Sequence, residues 1–123
     1  MTKTLTMIKQ AEPVQANGTS YHGHTIKAKL NELKELFGEP FNGDDDKVKH
    51  DWTLQTHEGV IFTIYDWKKG NFAEDQEIEW HIGGHNALGT HKAKNLIEFE
   101  LINLFAEEFL AAYNLIMQNK HEQ

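Results

Sequence analysis

The chain has no cysteine and no arginine, a single serine and two prolines among 123 residues. Each shortage closes off a class of chemistry. Without cysteine there are no disulfides, no thiolate metal ligands and no cysteine nucleophile. Without arginine the chain lacks the side chain best suited to bidentate phosphate and guanine contacts. Its twelve basic residues are all lysines, set against nineteen acidic residues for a formal net charge of -7, a poor balance for gripping a nucleic-acid duplex. The lone serine, Ser20, sits in a weakly patterned stretch with no Gly-x-Ser-x-Gly elbow around it, which argues against a serine triad. No phosphate-binding glycine loop is present, because Gly83-Gly84 lacks the surrounding pattern. No apolar run approaches the ~18 residues of a membrane span, and the opening MTKTLTMIKQ lacks the apolar core of a signal peptide. The expectation is a soluble, cytoplasmic, single-domain protein.

What the chain does have is concentrated between Lys47 and His85. This stretch holds all three tryptophans, Trp52, Trp67 and Trp80, and four of the eight histidines. It reads as three antiparallel strands: Lys47 to Thr56, Val60 to Trp67, and Glu77 to Gly83, rich in β-branched and aromatic residues. Taking Glu58 and Gly59 as a two-residue hairpin turn places Trp52 opposite Tyr65, Leu54 opposite Thr63 and His50 opposite Trp67. One face then gathers Val60, Phe62, Ile64, Ile78, Trp80 and Ile82, and should be covered by helices. The other gathers His50, Trp52, Leu54, Tyr65, Trp67, Glu79 and His81. A slip of one residue would exchange the sets.

Around these strands the pattern is simpler. Residues 1–19 read as a flexible arm in which Thr4, Met7 and Ile8 have the makings of a short edge strand. Ser20 to Ala28 is a weak strand that would put His22 and His24 on one side. Leu30, Leu33, Leu36 and Phe37 have helical spacing, with Gly38 and Pro40 as stop signals. Asn42 to Asp46 is a polar turn without the ligand spacing of a calcium loop. Residues 86–94 are open between a short helix started by Asn86 and a loop around Gly89. Asn95, with Glu98 three residues on, resembles an N-cap for a helix to about Gln118. That helix is apolar around much of its circumference, which requires cover on more than one side. A homodimer through Leu101, Phe105, Phe109, Tyr113 and Ile116 is therefore expected; packing on the Leu30–Phe37 helix within one subunit is the alternative. The whole is an α+β protein: an antiparallel sheet of three to four strands in residues 20–94, one short helix before it, and one long C-terminal helix in residues 95–123.

Two constellations have chemical potential. His81, His85 and His91 offer three imidazoles, a set that would suit zinc with an open position for metal-dependent hydrolysis. The mixed face offers Trp52, Tyr65 and Trp67 as flat walls, with Asp66, Lys68, Glu79, His81 and His85 as polar edges, a combination that stacks bases, nucleotides or peptide side chains. On this second reading there is no catalytic residue, metal or cofactor.

Four strings carry a resemblance: Gly38-Glu39-Pro40, Lys47 followed by Trp52, Ile64 to Lys68 (IYDWK), and Glu79 to His85 (EWHIGGH). Together they resemble a family of small accessory proteins encoded by phages and prophages, over about Thr19 to Asn86. The chain departs from that pattern in carrying Glu58 before the turn glycine, and the long C-terminal helix is an extension of it. The resemblance implies a viral accessory protein acting in the bacterial cytoplasm, by binding, inhibiting or sequestering a host defence component, whether a protein or a nucleotide signal. A structural or assembly role in the virion is the other possibility within that class.

Overall fold

The computed structural model describes residues 7–42 and 47–121. Thr4 and the Asp44–Asp46 run lie outside the described residues. The elements, in chain order, are β1 (Ile8–Gln10), a 3-10 turn (Pro13–Ala16), β2 (Ser20–Lys29), α1 (Leu30–Phe37), β3 (Phe41–Asn42), β4 (His50–Thr56), β5 (Ile61–Tyr65), β6 (Glu77–Gly84) and α2 (Ala87–His121). The fold is α+β, and its sheet is antiparallel with six strands rather than three or four. The strand order is β1-β4-β5-β6-β2, with β3 also paired to β4. The two additions are the shortest strands. They share one edge of β4: β1 takes Leu54 to Thr56 and β3 takes His50 and Asp51. Strands of two and three residues exist only because β4 offers them unpaired backbone groups. Residues 8–19 are therefore docked on the sheet rather than forming a free arm.

The β4–β5 connection decides which side chains are core. Thr56 N–H donates to the Val60 carbonyl at 2.9 Å, and Gly59 N–H to the Thr56 carbonyl at 2.9 Å. The loop is thus His57-Glu58-Gly59, three residues with Gly59 at φ +88°, the conformation a three-residue hairpin loop closes on. One loop residue more than the two-residue turn slips the register by one. Trp52 lies opposite Ile64 and Leu54 opposite Phe62. Trp52 and Leu54 consequently join Ile26, Ala28, Phe62, Ile64, Trp80 and Ile82 in the core. The inner face assigned to β5 and β6 from the alternation is the observed one, although Ile64 pairs with Ile82 rather than with Trp80.

Both helices cover this inner face. α1 buries Leu30, Leu33 and Phe37. Gly38, at φ +85°, ends it by donating its N–H to the Lys34 carbonyl at 2.8 Å, and the Gly38 carbonyl accepts the indole N–H of Trp52 at 3.0 Å. The Trp80 indole donates to the Ala28 carbonyl at 2.9 Å, so both core tryptophans bury their rings with the polar edge satisfied.

α2 begins eight residues before the expected start. Asn86 caps it, its side-chain carbonyl accepting the Gly89 N–H at 2.7 Å, and Asn95 is an interior helical residue. The helix lays Thr90, Ala93, Ile97, Glu100 and Leu104 on the sheet, all buried. Glu100 accepts the Met7 N–H at 3.0 Å, tying the helix to the start of β1. Leu101, expected at a dimer interface, is partly buried against this core. None of the residues of α2 after Leu104 is buried among those described.

Candidate binding face on the outer side of the sheet

With the inner face covered, the outer face is where side chains remain available. Two rows run across the strands. Asp51, Tyr65, His81 and Thr25 are successive cross-strand partners on β4, β5, β6 and β2. Beside them run Thr53, Thr63, Gly83 and Tyr21. Alternation keeps both rows out of the core.

The rings of the two rows meet. Tyr21 stacks on His81 with centroids 4.3 Å apart and planes 16° apart. Tyr65 meets His81 edge-on at 5.5 Å, and Trp67 lies nearly parallel to His81 at 6.3 Å and edge-on to Tyr65 at 6.4 Å. Tyr21 is about half exposed and Trp67 about a third. The ammonium groups of Lys68 and Lys47 stand 5.5 and 5.9 Å from the Trp67 ring centroid, within cation–π range. Lys68 adopts φ +56°, a left-handed conformation costly for a lysine, and its N–H is fixed to the Lys47 carbonyl at 2.8 Å. The floor is Gly83, where any Cβ would fall 2.6 Å from the Thr63 hydroxyl. Beyond Tyr65 the face continues as a trough of about 420 Å³ walled by Pro13, Ala16, Phe41, Asp51 and Thr63.

Electrostatics follow from partial burial on this face. Burial lowers the pKa of His81, opposed by Glu79 and reinforced by Lys69, which favours the neutral imidazole. Burial raises Tyr65, with Tyr21 adding to the shift. Asp51 is raised by burial and then by the Asp66 carboxylate.

Several expected site residues lie elsewhere. Trp52 is 2% exposed and belongs to the core, because of the three-residue loop. Asp66 is also buried: its carboxylate accepts the N–H groups of Lys49 at 2.8 Å and His50 at 3.0 Å and pairs with His50 Nδ1 at 2.7 Å. It clasps the start of β4 to the end of β5, its carboxylate engaged in these contacts. His85 is exposed at the far end of β6, where its Nε2 lies 3.3 Å from the Gln15 carbonyl. His91 is on α2 at the inner face, 5.5 Å from the His24 ring, while His81 is on the outer face. The three imidazoles are not brought together, and no group of three or more potential metal ligands forms among the described residues. Around the register shift between Tyr21 and His24, with Gly23 at φ +85°, His22 and His24 have different neighbours: His22 Nε2 lies 3.1 Å from the Gly84 carbonyl, and the His24 ring lies against that of His91. Tyr65, Trp67, Lys68, Glu79 and His81 do share the outer face. Tyr21 was missed, because its place beside His81 depends on β2 pairing with β6 some 60 residues away in sequence.

Compared with known proteins, the chain matches no protein-family model and no curated protein. No helix among the described residues is long and apolar enough to cross a membrane.

Proposed function

We propose that the chain is an accessory protein of phage or prophage origin that acts by binding, sequestering a host nucleotide signal on the outer face of its sheet in the bacterial cytoplasm. One observation carries the ligand class: four contiguous rings, Tyr21, His81, Trp67 and Tyr65, with two lysine ammonium groups beside the tryptophan. A planar base stacks on such rings whatever its sequence identity. Lys47 and Lys68 supply the charge that a phosphate attached to that base requires, in a protein otherwise acidic. The viral and anti-defence part rests on the GEP, IYDWK and EWHIGGH strings, of which the last two contribute Tyr65, Trp67, Lys68, Glu79 and His81 to this face.

A host protein is the second reading, favoured by the trough beside Tyr65. It sets the half-buried Asp51 carboxylate between Phe41 and Tyr65, and aromatic walls around a carboxylate fit a lysine or arginine side chain.

The readings separate by titration. Purine and pyrimidine nucleotides, mono- and oligomeric, are added while tryptophan fluorescence is followed. The nucleotide reading expects quenching by at least one of them. It also expects Trp67→Ala to weaken binding by roughly 10- to 100-fold, the value of one stacked base, with the far-ultraviolet circular dichroism unchanged because Trp67 is on the surface. Unaltered affinity in Trp67→Ala and His81→Ala would remove the outer face from consideration.

A further inference from the structure

α2 presents two different stripes. The first, Ala93, Ile97, Glu100 and Leu104, at spacings of four, three and four, lies on the sheet. The second is Phe99, Ile102, Ala106, Phe109, Tyr113 and Ile116, at spacings of three, four, three, four and three. At 100° per residue it lies about 180° around the helix from the first, on the opposite side, and all six residues are exposed. A strict three–four alternation is the seam of a helix pair, not the broader arc that a helix lays on a sheet.

From this seam we infer that the occupant is the same stripe of a second copy, paired antiparallel about a two-fold axis that crosses α2 between Glu107 and Glu108. Area is the first ground. The large seam residues and the adjoining Phe105 are 50% to 68% exposed. At roughly 150–250 Å² for each large side chain they present about 700 Å². That exceeds the largest patch of most monomers, ~300–600 Å², and approaches the ~800 Å² per partner of a standard interface.

Self-complementarity is the second ground. Antiparallel pairing about that axis sets Phe99 against Ile116, Ile102 against Tyr113 and Ala106 against Phe109. Every layer joins unlike residues, and the one small residue faces a large ring. Parallel pairing would stack Ala106 on Ala106 and Phe109 on Phe109, leaving a void beside an overfilled layer. Charge is the third. Two chains of net charge -7 repel, yet the seam itself carries no charge, and Glu107 and Glu108 lie off it. Because the seam points away from the molecule's own sheet, a partner helix reaches it without displacing that sheet.

The inference is independent of the nucleotide reading, and the two fail separately: Trp67→Ala alters ligand binding and leaves the mass, whereas Phe109→Glu does the reverse. Sedimentation equilibrium on the full chain at micromolar concentration is expected to return twice the 14.2 kDa chain mass. Phe109→Glu is expected to raise the dissociation constant at least 100-fold. Should that variant misfold, cysteine pairing gives the answer, since the native chain has none. Mixed Ile102→Cys and Tyr113→Cys chains are expected to form the hetero-disulfide. Ile102→Cys alone is expected to form none, because its two copies stand eleven residues, about 16 Å, apart along the axis. A 14.2 kDa mass at every concentration overturns the second copy and leaves the seam to a foreign helix; an efficient disulfide in Ile102→Cys alone overturns the antiparallel arrangement.

Discussion

Asp51 and Asp66 are neighbouring carboxylates with opposite situations. Asp66 is enclosed by two backbone N–H groups and an imidazole, the setting in which a buried carboxylate is tolerated. Asp51 has no such cage among the described residues, and burial together with the Asp66 charge raises its pKa above the ordinary 3.8. A raised carboxyl means that the native state holds the proton more tightly than the unfolded state does. Its favourable contribution is complete below about pH 3.8 and is lost as pH rises through the folded value, so at neutral pH the ionised group works against folding. Asp51→Asn is therefore expected to raise the melting temperature at pH 7 and to leave it nearly unchanged at pH 3. Equal melting temperatures at pH 7 would show that the charge costs nothing. His81 has the opposite sign: its lowered pKa gives a contribution complete above the ordinary 6.5 and lost as pH falls through the folded value. A measurement at pH 7 thus isolates Asp51.

Among the elements, α2 and the sheet are in tight contact at Gly84. A Cβ there would run into the side chain of Thr90, which is fully buried and donates its hydroxyl to the Asn86 carbonyl at 2.6 Å. Gly84→Ala is expected to destabilise by about 2–3 kcal/mol through overpacking, and Thr90→Ala in the same chain to restore much of it, a coupling read from denaturant midpoints. Additive losses would mean that the helix tilts away at little cost. This contact also explains what the sequence conceals. α1 was legible because its signals are local: leucines at helical spacing, then Gly38 and Pro40. The start of α2 was not, because Gly89 and Thr90 are weak helix formers chosen for what they face, Val60 and Gly84. Strand identities and the outer placement of Tyr65, Trp67, Glu79 and His81 were readable from alternation. The place of Trp52 was not, because it depends on whether His57 belongs to the loop or the strand, and the residue types allow either. β3 was hidden, and β1 showed only as the makings of a short edge strand at Met7 and Ile8, because the stability of both is in the edge of β4.

At the scale of the whole molecule, the sheet and the two helices make a self-sufficient core up to Leu104, and α2 continues for another 17 residues, to His121, about 25 Å. Isolated helices of that length are marginal in water, and none of these residues is buried among those described. In the proposed pairing, the free energy that keeps them helical comes from association. Helix content is then linked to protein concentration in a way that the core is not. Dilution from about 100 µM to well below the dimer dissociation constant is expected to remove ellipticity at 222 nm equivalent to roughly half of α2. The near-ultraviolet signal of Trp52 and Trp80, which pack edge-on at 5.6 Å inside the core, is expected to hold constant. The same linkage makes the melting temperature of the helix extension rise with concentration, whereas Phe109→Glu, held apart, is expected to show the diluted spectrum at any concentration. Helicity that survives in a monomer of 14.2 kDa would show that the extension carries its own stability and needs no second copy.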